Sequence, residues 1–196
     1  VVTGTGGRLG IGHVDIRLAG GGRKHVQCGA LAVSGGWNPN VHLTCHHRGR
    51  PAWQDDIAAF VPGEGVPPGM AVAGAARGVF STAGTIADGQ AQAIAQLAEI
   101  GITAGADTLP EAEDAPVRVT PLWHVPGKKR AWLDQQNDVT VKDVKLAHQE
   151  NFRAVEHLKR YTTLGMAGDQ GRTSNVLGLA IMAELTGKSI ADTGTT

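Results

Sequence analysis

Side chains that could bind a metal are concentrated in one short run of this chain. Cys45, His46 and His47 are consecutive, and His42 lies just upstream. A zinc site is one interpretation of this run. However, consecutive side chains rarely face one ion, and no second ligand pair follows at the usual spacing. We therefore expect these to be incidental loop residues, and we predict no metal site.

A cysteine nucleophile beside a histidine is the other chemistry that these residue types allow. Cys45 has histidine neighbours, but its sequence context matches no known nucleophile motif. Cys28 falls in a predicted strand, where a small buried hydrophobic residue is expected. His13 and His25 are scattered in the sequence. We interpret both as isolated histidines.

A glycine-rich segment is the second candidate site. Ala71 to Ala76 predicts a short apolar strand that runs into a glycine turn, and Ser81-Thr82 precedes a helix predicted from Thr85 to Ile100. Glycine lets the backbone approach a ligand closely. A helix N-terminus directs free N–H groups and a positive dipole end at phosphate or ribose oxygens. The pattern suits a nucleotide, although an ordinary strand and tight turn would give the same residues.

Composition narrows the functional classes. The 196 residues include 18 basic and 18 acidic ones, so no broad positive field would attract nucleic acid. No apolar run reaches the length of a membrane span, and two separate cysteines favour free thiols in a cytoplasmic protein. Abundant glycine and few aromatic residues are typical of an α/β nucleotide-binding protein. The chain opens on Val1-Val2 without an initiator Met, so we expect a piece of a longer subunit.

The remaining elements follow from periodicity and turn residues. His13 to Leu18, the turn Gly20 to Gly22 and the stretches His25–Cys28 and Ala30–Val33 predict a hairpin that leads into a short buried strand. A linker is indicated at Thr103 to Pro126, which has no strong period and carries an acidic run.

The last part of the chain predicts helices. Trp132 and Leu133 indicate a short strand, and Thr140 begins a helix in which Asp143 completes a capping box. A second helix is marked by Val155, Leu158 and Tyr161. A third begins at Thr173 or Ser174 and is ended by Gly187. Its predicted buried stripe consists of Val176, Leu177, Ala180, Ile181 and Leu185.

Two segments of this part, Asp134–Thr140 (DQQNDVT) and Leu158–Asn175 (LKRYTTLGMAGDQGRTSN), resemble the alpha subunits of heterotetrameric sarcosine oxidases. Related helical domains, of the type found in bacterioferritin-associated ferredoxin, hold a 2Fe–2S cluster with four cysteines, because such clusters need thiolate ligands. The resemblance implies this domain without an iron–sulfur cluster or another metal. The residues at the four cysteine positions are Asp134, Gln136, Asp169 and Ser174.

Two other segments, Leu31–Leu43 and Met70–Gln90, resemble the closing half of a two-dinucleotide-fold flavoprotein. In that class a strand ends at a glycine pair followed by proline, here Gly35 to Pro39. Flavin-binding members carry an acid just after the later glycine, where this chain has alanine, so the resemblance implies NAD instead of FAD. The NAD contacts that it implies are Gly74, Ala75, Phe80 and Thr82.

The implied fold class is therefore α/β: the C-terminal half of a two-dinucleotide-binding flavoprotein fold, followed by a small helical domain of the ferredoxin-associated type. The expected parts are a partial NAD-binding domain at 1–108, a linker at 109–129, the helical domain at 130–187 and a tail at 188–196. We expect the tail to lead toward an aminomethyltransferase-like domain, and the usual G-x-G-x-x-G entry motif to lie upstream.

The family's enzyme demethylates sarcosine to glycine with oxygen and yields hydrogen peroxide, and the methyl carbon leaves as formaldehyde or passes to tetrahydrofolate. FAD and FMN lie mainly on the beta subunit, and the partners are the beta, gamma and delta subunits. The resemblance thus implies NAD binding and support of the flavin-bearing subunit, with no catalytic residue in this chain. Lys159 and Arg160 would suit the FMN phosphate at a subunit seam, and a solvated basic helix end is the alternative.

Two other functions stay open. Opine, proline and related amine dehydrogenases have similar alpha subunits, but those typically keep the thiolates. The second open function is a catalytically silent assembly module whose nucleotide groove has lost its ligand. Gly29 and Gly168 stand where an acid and a threonine are expected, and such changes are compatible with lost binding.

Overall fold

The computed structural model describes residues 1–33, 36–115, 117–127 and 129–194. Contacts divide the chain into a terminal unit, formed by 1–35 together with 122–196, and a central unit, 36–121. This division joins the first strands to the C-terminal part, whereas the predicted borders joined them to 36–108; those borders stay a prediction. Gly35, of the glycine pair at the predicted strand end, and Lys128, of the predicted linker, lie outside the described residues.

The N-terminal part of the terminal unit is a three-stranded antiparallel sheet in the order β1-β2-β3. Its strands are β1 (Val2–Gly6), β2 (His13–Arg17) and β3 (Arg23–Gln27). The predicted hairpin is confirmed, and the amide of Leu18 donates to Gly22 O across the turn at 2.7 Å. The strand predicted at Ala30–Val33 is wrong: the segment is exposed, and no strand among the described residues pairs with it.

The central unit begins with short elements. β4 (Pro51–Gln54) and β5 (Ala59–Pro62) form an antiparallel hairpin, in which Trp53 meets Phe60 edge-on with ring centroids 5.0 Å apart. Short 3₁₀ segments at His42–Arg48 and Asp55–Ile57 flank β4. The described residues from 103 to 126 contain no helix or strand, and their role as a linker stays a prediction.

The strand predicted at Ala71–Ala76 is wrong. The chain instead forms a 3₁₀ turn, Gly74–Arg77, and then enters helix α1 (Thr82–Glu99). Gly74 has a φ of 62°, a left-handed conformation that breaks a strand and that glycine adopts without strain. The helix itself was predicted, but it begins at Thr82 instead of Thr85 because Ser81 acts as its N-cap.

The C-terminal part of the terminal unit, residues 131–194, is called the helical segment below. Its first strands, β6 (Trp132–Asp134) and β7 (Val139–Thr140), pair antiparallel, and the capping box of Thr140 and Asp143 is confirmed. Gly187 ends the third predicted helix with a φ of 67°. The helices are α2 (Val141–Gln149), α3 (Val155–Thr162), α4 (Asn175–Thr186) and α5 (Ile190–Thr193). No described helix has the length and apolar character needed to cross a membrane.

The core of the helical segment is built from β6, β7 and α2 to α4, together with Leu164 from the loop before α4. The stripe predicted on α4 is confirmed at Ala180 and Ile181, but Leu179 and Met182 are also buried. This helix is apolar on almost every side. It is therefore surrounded by other parts of the segment, whereas a surface helix buries only one apolar stripe. The core cluster consists of Leu133, Val139, Val141, Val144, Ala147, Leu158, Leu164, Ile181 and Met182.

Candidate functional site

The predicted nucleotide contacts lie on one continuous stretch, from the 3₁₀ turn to the first residue of α1. Gly74 is buried, and its amide donates to Asp88 Oδ2 at 2.8 Å. The other carboxylate oxygen of Asp88 accepts from Arg77 Nη1 at 2.7 Å. A Cβ atom at residue 74 would lie 2.8 Å from Thr85 Cγ2, so this turn requires glycine. Asp88, which sequence reasoning missed, thus fastens the turn to α1.

The other three predicted contacts differ in exposure. Ala75 and Thr82 are exposed, whereas Phe80 is half-buried. Most amides of the first turn of α1 already have acceptors within the central unit: Gly84 N donates to Ser81 Oγ at 3.2 Å, and Thr85 N donates to Ser81 O at 2.9 Å. A ligand could therefore contact the exposed side chains and the backbone of Ala75 more readily than the N–H groups at the start of α1.

A buried carboxylate organises the start of the helical segment. Asp134 is 4% exposed. Its Oδ1 accepts from the amides of Gln136 at 2.9 Å and Asn137 at 3.0 Å, and its Oδ2 accepts from Asn137 Nδ2 at 3.2 Å and Gly165 N at 2.8 Å. Burial raises the pKa of Asp134, but these donors together outweigh it and hold the pKa below its usual value.

Asp169 plays a similar part in the following loop. It accepts from Thr173 Oγ1 at 2.8 Å and from Gly171 N at 3.2 Å. The Thr173 hydroxyl, followed by the Gly171 amide, lowers the pKa of the Asp169 carboxyl, while the nearby charge of Asp134 acts in the opposite direction. The two carboxylates are thus close enough to interact.

The other two positions that the resemblance aligned with cysteines lie against the same loop. Gln136 Oε1 lies 3.7 Å from the place of a Cβ on Gly168. Ser174 is fully buried, and its hydroxyl has no hydrogen-bond partner among the described residues. The amide of Ser174 donates to Gly171 O at 3.2 Å. Hydrogen bonds and contacts therefore connect the positions Asp134, Gln136, Asp169 and Ser174 through the loop between α3 and α4.

Lys159 and Arg160 lie in the last turn of α3. Lys159 is half-buried. The Arg160 side chain is 76% exposed and lies 3.8 Å from Glu156, one turn earlier on the same helix. Such exposed pairs contribute little to stability, so Arg160 can change partner at small cost.

The histidines fall into two different environments. The run around Cys45 lies in the 3₁₀ segment, where Cys45 Sγ donates to Val41 O at 3.3 Å. In contrast, His13 and His25 face each other across β2 and β3 with ring centroids 4.2 Å apart, and Asp15 lies beside them. The interpretation of His13 and His25 as isolated was wrong, because the strand register brings them together.

Comparisons with known proteins show which proteins the chain is similar to. Residues 128–196 match the family described as the sarcosine oxidase A3 domain. The whole chain is 40% identical to sarcosine oxidase subunit alpha of Rhizobium meliloti (strain 1021) and covers 20% of it. It is also 36% and 37% identical to the alpha subunits of Corynebacterium sp. strains P-1 and U-96, over 88% and 90% of the chain and 19% of each subunit. The chain thus spans about a fifth of the length of these relatives.

Among solved structures, L-proline dehydrogenase from P. horikoshii has a similar fold. The TM-score is 0.63 at 20% identity, and the match covers 100% of this chain and 41% of that one. The likeness shows a mixed α/β fold, which in that protein is part of a larger chain. With the match of residues 128–196 and the identity along its length, the chain belongs to the sarcosine oxidase alpha-subunit family.

Proposed function

We propose that this chain is an internal segment of a sarcosine oxidase alpha subunit and serves the oxidative demethylation of sarcosine to glycine. The observation that carries the proposal is the identity of 36–40% to three such subunits over 88–100% of the chain. In the whole enzyme, FAD and FMN would lie mainly on the beta subunit, with gamma and delta subunits also present. Oxygen would be reduced to hydrogen peroxide, and the methyl carbon would be released as formaldehyde or methylenetetrahydrofolate.

Within this enzyme, the central unit would be part of a dinucleotide-binding region for NAD, which acts as a hydride carrier when bound. The residues fit the uncharged portions of NAD better than its pyrophosphate. The amide of Gly74 is taken by Asp88, and that carboxylate would repel a phosphate. Gly74 would therefore act through its conformation, while Ala75 and Thr82 would contact ribose or base and Phe80 would pack against them.

Calorimetric titration of the full-length subunit with NAD tests this assignment. Thr82→Val removes the exposed hydroxyl and should weaken binding about 5-fold, since one neutral hydrogen bond contributes about 1 kcal/mol. Thr108→Val, at an exposed position outside the predicted contacts, is the matched control. Equal affinities for the two variants would contradict the role of Thr82, and wild-type protein that binds no NAD would favour the silent assembly module.

The helical segment would support the flavin-bearing subunit, and its residues do not fit an iron–sulfur cluster. Clusters are held by thiolates, whereas the corresponding positions carry oxygen and amide groups. The Asp134 carboxylate accepts from an amide in the turn between β6 and β7, that of Gln136, and from one in the loop between α3 and α4, that of Gly165. A hydrogen-bonded carboxylate would thus hold together the same chain segments that thiolates hold around a cluster in related domains.

The basic end of α3 would bind the FMN phosphate at the seam with the beta subunit. Lys159→Ala and Arg160→Ala should each lower the amount of FMN retained by the reconstituted complex, because charge-assisted bonds to phosphate are among the stronger polar contacts. Arg153→Ala, an exposed arginine just before α3, should leave FMN retention unchanged. Unchanged retention in both α3 variants would mean that this helix end is only solvated.

Two alternatives remain, and one of them is favoured by a specific contact. The bond between Gly74 and Asp88 favours a catalytically silent assembly module, since it occupies a donor that a nucleotide would use. The second alternative is the alpha subunit of an opine, proline or related amine dehydrogenase. Its thiolates are missing here, and the likeness to L-proline dehydrogenase, at 20% identity, concerns the fold alone.

A further inference from the structure

Strands β2 and β3 place two imidazoles and one carboxylate on one face of the N-terminal sheet. His13 and Asp15 are two residues apart on β2, so their side chains point to the same face. His25 on β3 is the register partner of Asp15, and directly opposed residues have neighbouring side chains. One ligand atom from each of the three residues lies within 4.8 Å of the others.

Strand β1 leaves this face uncovered. Gly4 and Gly6 are the register partners of Asp15 and His13. A Cβ at Gly6 would collide with the imidazole of His13, and a Cβ at Gly4 would lie 3.5 Å from Asp15 Oδ2. The two glycines therefore let the His13 ring lie over the backbone of β1, which restricts its orientation.

The hydrogen bonds within the group orient the second imidazole. His25 Nδ1 lies 2.7 Å from Asp15 Oδ1, and His25 Nε2 lies 3.1 Å from the side-chain amide of Gln27. Amide oxygen and nitrogen positions are assigned from hydrogen-bond patterns, so Gln27 can also present its oxygen. It would then accept the proton of one His25 nitrogen while the other binds a metal, the arrangement that fixes metal-binding histidines in proteins.

We propose that His13, Asp15 and His25 form a binding site for a divalent transition-metal ion, with Zn²⁺ as the best fit. Two imidazole nitrogens and one carboxylate oxygen suit zinc, and three protein ligands leave a fourth, tetrahedral position for water. Ligand atoms around tetrahedral zinc are about 3.3 Å apart, given Zn–N and Zn–O lengths of about 2.0–2.2 Å. His13 Nε2 and Asp15 Oδ2 are already 3.8 Å apart.

Access and selectivity support this assignment. The three side chains are 33%, 50% and 50% exposed, so an ion can enter and keep a water ligand. A group with two nitrogen donors is a poor site for Ca²⁺ or Mg²⁺, which take oxygen ligands. The site uses none of the residues proposed for NAD or FMN, so it stands independently of those assignments.

The test is calorimetric titration of the chelator-treated full chain with ZnCl₂. We expect one ion per chain in this site. Removing a residue that only hydrogen-bonds to a metal ligand typically lowers metal affinity about 10-fold or more. Removing a ligand itself should therefore weaken binding by at least about 10-fold in each of three variants, His13→Gln, Asp15→Asn and His25→Gln. His157→Gln, an exposed histidine on α3, should bind Zn²⁺ as the wild type does.

Two further measurements separate this site from the cysteine run. Cys45→Ser should leave Zn²⁺ affinity unchanged, and the Co²⁺ form should lack the sulfur-to-cobalt charge-transfer band of a thiolate ligand. Metal-free melting curves of the three ligand variants should match that of the wild type. Absence of Zn²⁺ binding, equal affinity in the ligand variants, or loss of binding in Cys45→Ser would each overturn the proposal.

Discussion

Replacing Asp134 with alanine should lower the free energy of unfolding of the helical segment by about 3 kcal/mol or more. Hydrogen bonds to a charged group contribute about 1.5–3 kcal/mol, and a buried donor left without an acceptor costs about 1–3 kcal/mol. Gly165 is buried, so its amide cannot turn to water when the carboxylate is removed. Urea unfolding followed by far-ultraviolet circular dichroism measures the loss.

The matched control lies in the same turn. Asp138 is exposed, and Asp138→Asn removes the same charge without removing an acceptor from buried donors. Asp134→Asn should be much the more destabilising of the two, because one amide hydrogen pair would then face N–H donors. Equal unfolding midpoints for the two asparagine variants would show that the Asp134 network does not stabilise the fold.

The advantage of wild type over Asp134→Asn should also depend on pH. The pKa of Asp134 is lower in the folded chain than in the unfolded one, where it is about 3.9. Its contribution is therefore fully present above about pH 4 and decreases as the pH falls through the folded-state pKa. A difference that stays constant down to pH 2 would contradict this assignment.

Leu164→Ala should destabilise the helical segment by about 2–5 kcal/mol, the usual range for a fully buried leucine. Leu164 is 0% exposed and fills the space beside Gly178, where a Cβ would collide with its side chain. Gly178→Ala alone should cost about 1–3 kcal/mol through overpacking, although alanine is the better helix former by about 1 kcal/mol. The midpoint of urea unfolding reports both losses.

A double-mutant cycle tests the contact itself. In Leu164→Ala combined with Gly178→Ala, the new methyl group can occupy space that the leucine has left, so the double variant should lose less than the sum of the two. Gly89→Ala is the control for helix propensity, because nothing lies within 4 Å of its Cβ position, and it should stabilise α1 slightly. Strict additivity would show that residues 164 and 178 are not coupled.

Local signals predicted the helical segment well. The capping box of Thr140 and Asp143, the spacing of Val155 and Leu158, and Gly187 after α4 are each set by residues within a turn or two of the chain. Such signals are present in the sequence itself. The extent of burial on α4 was missed because an apolar helix has no polar face to mark its orientation.

Features that depend on distant residues were not predicted. The turn at Gly74 is held by Asp88 from the next helix, and nothing in the apolar run before Gly74 indicates that bond. The group of His13, Asp15 and His25 depends on strand register. Alternation on β2 and the glycine turn before β3 were signals that could have located it, had the two strands been paired residue by residue.

The order in which the chain leaves the ribosome constrains how the terminal unit is completed. Its two parts are separated by the whole central unit, and Lys129 Nζ donates to Gly7 O at 3.1 Å across 122 positions of sequence. The N-terminal strands are therefore synthesised before the central unit, and this contact can form only after the central unit has been synthesised. If the central unit becomes compact during that interval, the loop between the two parts of the terminal unit becomes effectively shorter. The entropic cost of bringing the ends of this loop together is then smaller.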